Sequence, residues 1–227
     1  MTHNPVAGLR QSLLDDTIIS VDMAFPRAHK LLFDNGSTDD SRRYLVETSA
    51  AVRWTFESYQ PEDGNHTPGR GRNRIRHTLL ALRSEQNWDF DVVVLSDDDM
   101  SWKVGAADAL AAVWGAPSEK LIIVCGLLEP VWHWNTPRRT QACGGVNVLV
   151  RDSCPGAAWT FRWQDEGTIF PVKADFGYDV DACKYLVASG YEVAQLDLAE
   201  HAGWGASSHG NEAHAAGMPL DREKWGV

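Results

Sequence analysis

Apolar and polar positions along this chain fall into blocks that switch between helical and extended spacing. Asn4-Pro5 opens a helix, with Asn at the cap and Pro at the first helical position, and Leu9, Leu13, Leu14 and Ile18 continue it. Residues 28–33 read as a strand, and Ser37 is expected to cap a second helix with Asp40 in its first turn. The Pro-, Gly-, Asn- and Asp-rich stretch 60–71 reads as a loop, followed by a helix with Ile75, Leu79, Leu80 and Leu82 on one face. Residues 91–95 and 121–125 are apolar strands, and the helix 105–114 between them stops at Gly115. Beyond them lies a long irregular region containing the strand-like 146–150. A helix over 179–188 then ends at Gly190 and passes into a last strand, 191–196. Strands alternating with helices predict an α/β fold with a mostly parallel sheet flanked by helices.

Two of these blocks share a termination. Leu31-Leu32-Phe33 runs into Asp34-Asn35-Gly36-Ser37-Thr38-Asp39, and Val92-Val93-Val94-Leu95-Ser96 runs into Asp97-Asp98-Asp99. An apolar run ending abruptly in acidic and turn residues reads as a buried parallel strand that delivers carboxylates to its C-terminal end, the edge where open α/β sheets bind ligands. Three consecutive carboxylates repel one another in a dry core and suit a divalent cation, with water and phosphate completing an oxygen-rich shell. The segment therefore reads as a metal–diphosphate site for Mn²⁺ or Mg²⁺. Asp97 and Asp99, two apart on an extended end, point the same way. Asp99 is the first choice of direct ligand, while Asp97 reaches the metal, a metal-bound water or the ribose. The rival reading is an acidic turn capping the next helix.

Composition narrows the field. The chain has 227 residues, 44% hydrophobic, enough for one substantial core. Its net charge of −10 disfavours nonspecific binding of polyanions. Against that background Arg70, Arg72, Arg74, Arg76, His77 and Arg83 gather on one segment, which fits a phosphate-bearing small ligand or a solvated basic helix face. No apolar run reaches the roughly 18–20 residues of a membrane span, and no signal peptide is read at the N-terminus. The cysteines, Cys125, Cys143, Cys154 and Cys183, have no metal or redox spacing, so reduced thiols and a cytoplasmic protein are expected. Ten tryptophans are many for this length. Most are expected in the core, whereas Trp132-His133-Trp134 lies between prolines in a loop.

Taken in order, the motifs resemble family 2-like glycosyltransferases with the GT-A fold over most of the chain. Thr2-His3-Asn4 is similar to the segment after that family's first strand, and Asp34-Asn35 to its nucleotide-binding strand end. Gly71-Arg72-Asn73 resembles the segment that opens its next helix, and Asp97-Asp98-Asp99 its DxD. Phe176-Gly177-Tyr178-Asp179-Val180-Asp181 resembles the helix start near the acceptor, with Tyr178 where the family often has Glu. His201-Ala202-Gly203 resembles a late histidine that completes the metal shell. The family's first strand would precede Thr2, so that strand is expected to be missing or replaced.

The resemblance implies a single GT-A domain over 1–227, with a nucleotide-sugar-binding half, 1–125, and an acceptor-binding half, 126–227, carrying a flexible C-terminal loop. It implies a metal-dependent transfer of sugar from a nucleoside-diphosphate donor to an acceptor hydroxyl, with inversion. Thr2, Asn4, Asp34, Asn35, Arg72, Asp97 and Asp98 would bind the nucleotide sugar, and Asp99, Asp97 and His201 the metal. His209 and His214 are alternatives to His201. Asp179 would be the general base, favoured in its ionised form by a helix N-terminus, with Asp181 as its neighbour and a plain capping role as the rival. Arg72 would donate to phosphate, or pair with the aspartates structurally. The acceptor is open among glycan, small molecule, protein and modified DNA base, with DNA or glycan kept open by Arg138-Arg139 and the tryptophans. Segments 127–139 and 159–173 are expected to select it. Two other readings remain. A sugar nucleotidyltransferase needs a Gly-rich phosphate loop that 2–10 does not supply. A noncatalytic nucleotide- or sugar-binding module would leave the aspartate cluster beside a candidate base unexplained.

Overall fold

Continuous apolar runs supply the central strands of the frame, and strands of alternating burial flank them. The computed structural model describes residues 10–37, 40–64, 68–116, 120–127, 137–163 and 178–201. Helix α1 (Arg10–Ala24) leads into strand β1 (Leu31–Asp34), and α2 (Ser41–Val52) crosses over to β2 (Thr55–Ser58). Helix α3 (Pro68–Gln86) precedes β3 (Val92–Ser96) and the short β4 (Met100–Trp102). Then follow α4 (Ala106–Gly115), β5 (Leu121–Leu127), the pair β6 (Arg139–Cys143) and β7 (Val146–Arg151), and β8 (Ala158–Arg162). Helix α5 (Tyr178–Ala188) and β9 (Glu192–His201) close the described chain.

The strands form two sheets. β1 and β2 make a parallel pair, joined through α2 as a parallel pair requires. The other seven strands run in the order β3-β8-β5-β9-β7-β6, with β4 also paired to β9. The expected fold class holds, with one correction: the sheet is mixed. Among the described strands parallel pairing is confined to β1–β2 and β5–β9, and the remaining neighbours are antiparallel. The physical reason lies in β8, which returns between β3 and β5 with a central Thr160 bonded to the Val124 carbonyl at 2.9 Å. The β6–β7 hairpin further extends the antiparallel side.

The main core gathers under the larger sheet, where Ile123, Val124, Cys125, Val148, Trp159, Val193 and Ala194 are fully buried. A second cluster, Leu14, Ile18, Leu32 and Leu45, fastens α1 and α2 to β1. Burial of such side chains stabilises by about 1.5–3 kcal/mol each. All four cysteines are buried thiols, and Cys154 and Cys183 stand 3.8 Å apart. Among the described residues no helix is long and apolar enough to cross a membrane.

Two helix starts differ from expectation. The cap of α2 is Asp40 rather than Ser37, because the Ser37 hydroxyl is spent on Asp34. Helix α3 begins at Pro68, inside the stretch expected to be loop, since Pro suits a first turn where its missing N–H costs nothing.

Candidate functional site

The aspartate triplet is a turn held at both ends. β3 buries Val93 and Leu95 and stops at Ser96, and β4 resumes at Met100. The Trp102 indole N–H donates to Ser96 Oγ at 3.0 Å, and that hydroxyl donates to the Asp97 carbonyl at 3.0 Å. From α1, Ser20 Oγ accepts the Trp102 backbone N–H at 3.0 Å and donates to the Thr17 carbonyl at 2.8 Å. These bonds bring the two ends of the turn together, so the three carboxylates are presented by a fixed backbone.

Each carboxylate then has its own surroundings. Arg72, on α3 and only 1% exposed, donates from Nη2 to Asp97 Oδ1 at 2.7 Å. Burial pushes the Asp97 carboxyl above its ordinary range, and the Arg72 guanidinium opposes the shift. Asp98 and Asp99 are both buried. Asp99 Oδ2 lies 3.4 Å from His201 Nε2. The sheet explains that approach: β4 pairs antiparallel with β9 in a register that puts Met100 opposite His201.

That pair fits a cation. Two ligands on bonds of about 2.0–2.2 Å at adjacent positions of a metal shell are separated by roughly 3.0–3.4 Å. Among the described residues no group of three His, Cys, Asp or Glu side chains converges on one point. Two protein ligands suit Mg²⁺ or Mn²⁺, which commonly keep water and fill their shell with substrate phosphate. Asp97, an expected ligand, also carries the Arg72 ion pair, in which the arginine reaches a carboxylate rather than solvent.

Asp34 is also more occupied than its position at a strand end suggested. It is fully buried, and Oδ1 accepts from the Ser37 backbone N–H at 3.0 Å and hydroxyl at 2.6 Å. Ser58 Oγ, from β2, donates to Oδ2 at 2.9 Å. The carboxylate thereby shapes the turn 34–37, where Gly36 takes φ 76°, and the buried Asn35 sits inside that turn.

Elsewhere on α3 the basic residues disperse. Arg70 bonds Asp63, Arg74 lies 4.0 Å from Glu57, and Arg76 and Arg83 stand over Trp163 and Phe90. These basic residues make separate contacts, while Arg72 is turned to Asp97. Thr2, Asn4, Trp132, Trp134, His209 and His214 lie outside the described residues. For Asp179 and Asp181 the backbone is described, in the first turn of α5. Ser20, Ser58, Ser96 and Trp102 escaped the sequence reading as groups that hold the carboxylates in place, and Ser37 was expected to cap a helix instead. Only Ser37 carried a local signal, three residues after Asp34, while the others arrive from elements distant in sequence.

No protein-family model matches the chain, and no curated protein sequence matches it. Solved structures do. A mannosyltransferase from Pyrobaculum calidifontis, determined in complex with GDP-mannose and Mn²⁺, aligns with TM-score 0.53 at 16% identity, over 86% of this chain and 55% of that one. TarS from S. aureus aligns with TM-score 0.53 at 14% identity, over 86% of this chain and 56% of that one. The chain therefore shares its fold with glycosyltransferase structures and spans little more than half the length of either.

Proposed function

We propose that this protein is a metal-dependent glycosyltransferase that moves a sugar from a nucleoside-diphosphate donor to an acceptor hydroxyl. The observation that carries the reading is the Asp99–His201 pair, set beside the Arg72–Asp97 ion pair at the end of β3. The mannosyltransferase of the same fold, solved with GDP-mannose and Mn²⁺, supports the donor class and the metal.

In this account Asp99 and His201 hold Mn²⁺ or Mg²⁺. Bound there, the cation supplies positive charge against the departing diphosphate. Asp97, fixed by Arg72, addresses the ribose or a coordinated water. Arg72 is a positioning residue, because its buried guanidinium orients a carboxylate. The turn 34–37, held by Asp34, meets the base, and Thr2 and Asn4 contribute to nucleotide-sugar binding. Asp179 at the start of α5 takes the proton of the acceptor hydroxyl. The hydroxyl oxygen bonds to the anomeric carbon, the bond from that carbon to the diphosphate oxygen breaks, and the nucleoside diphosphate leaves with the bond pair. A single displacement of this kind inverts the anomeric centre. The segment 1–125 serves the donor and 126–227 the acceptor, within one domain.

The test is Asp179→Asn, assayed for nucleotide-sugar binding and for turnover against a panel of glycan, small-molecule, protein and modified-DNA acceptors. The expected result is donor binding retained and turnover reduced by about 10²–10⁴. A wild-type protein that binds nucleotide sugar but turns over with no acceptor, whatever stands at Asp179, would favour the noncatalytic module.

A further inference from the structure

Three buried thiols from separate elements meet behind the aspartate turn. Cys154 lies in the loop 152–157 between β7 and β8, Cys183 on α5 and Cys125 on β5. The sulfurs of Cys154 and Cys183 stand 3.8 Å apart, and Cys125 Sγ donates to the carbonyl of Pro155 at 3.3 Å. Three residues after Cys154, the Ala157 carbonyl accepts the Asp97 backbone N–H at 2.8 Å. One short loop therefore touches α5 through a sulfur and the aspartate turn through a peptide bond. Cysteine spacing along the chain carried no redox signal, and the fold supplies one by bringing positions 154 and 183 together.

Cys183, rather than Cys125, is the neighbour of Cys154 that can close on it. Cys125 is locked in the larger sheet, where β5 pairs it with Trp159 of β8 on one side and Gln195 of β9 on the other. Cys183 rides on an 11-residue helix. That helix buries Ala182, Cys183 and Leu186 and leaves Lys184, Tyr185 and Ala188 exposed. A helix held by one narrow stripe lifts more readily than a central strand. A disulfide has an S–S bond of about 2.05 Å, so closure from 3.8 Å asks for a movement of under about 2 Å. Among the described residues no group of three His, Cys, Asp or Glu side chains is placed to hold a metal ion, which favours a redox pair over a soft-metal site.

Burial pushes the Cys154 thiol well above its ordinary pKa, and the thiolate is the attacking species. Exchange therefore proceeds from states in which α5 has lifted. There the Cys183 thiolate attacks one sulfur of a low-molecular-weight disulfide, whose S–S bond breaks and whose other half leaves as a thiolate. The Cys154 thiolate then attacks the Cys183 sulfur of this mixed disulfide and expels the second small thiolate. The small thiolates take up the two protons that the protein thiols released. Two electrons have passed from the protein sulfurs to the small disulfide.

We propose that Cys154 and Cys183 are a dithiol that a low-molecular-weight disulfide closes into a protein disulfide, stapling α5 to the loop that holds the Asp97 backbone. The proposal rests on the placement of the thiols and not on the transferase reading.

The experiment equilibrates the full chain with oxidised and reduced glutathione in dilute urea, below the unfolding transition, so that local opening is sampled. Free thiols are counted after denaturation, cross-linked peptides are mapped by mass spectrometry, and Tm and amide exchange are read after the urea is removed. The thiol count is expected to fall from four to two, with one link, Cys154–Cys183, reversed by dithiothreitol. A cross-link between positions 29 apart is expected to raise Tm by roughly 5–10 °C. Exchange of the Asp97 amide is expected to slow by about tenfold. Cys183→Ser should lose the link and both effects, whereas Cys125→Ser and Cys143→Ser should keep them. Mapping of the wild type decides the case even if a variant fails to fold. A Cys125–Cys154 link, glutathione adducts without an internal bond, or four unreacted thiols would overturn the proposal. A Cys154–Cys183 link with unchanged Tm, or with unchanged exchange at Asp97, would overturn the staple.

Discussion

Asp99 and His201 sit 3.4 Å apart because a three-residue strand, Met100–Trp102, pairs with the last described strand of the sheet. The candidate metal pair therefore depends on a short ladder, and the stability of that ladder is a functional quantity.

Lys103 clamps the same ladder. Its backbone N–H donates to the Leu198 carbonyl at 2.8 Å, and its ammonium reaches Asp197 at 2.6 Å and Glu200 at 3.4 Å. Hydrogen bonding to Asp197 raises the Lys103 pKa. A raised lysine binds its proton more tightly when folded, so its contribution is complete below the unfolded pKa and is lost as pH rises through the folded one. Denaturant melts of the wild type are expected to weaken at strongly alkaline pH, and Lys103→Met is expected to lower the near-neutral value slightly and to flatten that slope, so that the two proteins converge at strongly alkaline pH.

Arg72 and Asp97 form an ion pair with one fully buried partner. Removing the arginine strands a carboxylate whose side chain keeps 31% exposure, so part of the cost is relieved by solvent. Arg72→Met is expected to cost about 2–3 kcal/mol in urea denaturation. Arg72→Met with Asp97→Asn should recover part of that loss, since the uncompensated charge is gone. Additive losses in the double variant would show that the two residues act independently.

Gly126, in β5, faces the Trp102 ring: a Cβ there would lie 2.7 Å from Cζ3. That ring anchors the aspartate turn through Ser96. Gly126→Ala is expected to destabilise by about 1–3 kcal/mol, the usual cost of overpacking. The substitution should also weaken metal-dependent nucleotide binding, measured by calorimetric titration, although residue 126 is not among the candidate ligands.

Much of the frame was legible because its strands are apolar throughout, β1 and β5 buried on both faces and β3 half-buried on one. Leu31–Phe33, Val92–Leu95 and Leu121–Cys125 read as apolar runs, and Gly115 marks the end of α4. Strands without such a run were not legible. β2 is half-buried along its whole length, β6 is mostly exposed, and β4 is three residues long. Missing β4, β6 and β8, all of which pair antiparallel, is why the sheet was expected to be mostly parallel. β9 was read short because exposed Asp197 interrupts its apolar run, yet the strand continues to His201. The aspartate triplet was visible as chemistry. Two of its partners, Arg72 and His201, were legible through the family resemblance, whereas Ser20 and Trp102 were not, since they reach the turn through helix packing and strand pairing that no local pattern encodes.

The most direct test of the central claim is a thermal-shift panel of UDP, GDP, CDP and dTDP, each with and without Mn²⁺, on wild type, Asp99→Asn and His201→Gln. Binding to the native state alone stabilises by about 2.7 kcal/mol at a hundredfold excess over Kd. The account predicts a shift with one nucleotide that requires Mn²⁺ and disappears in both variants. A nucleotide shift that survives both substitutions, or no shift with any nucleotide, would contradict it.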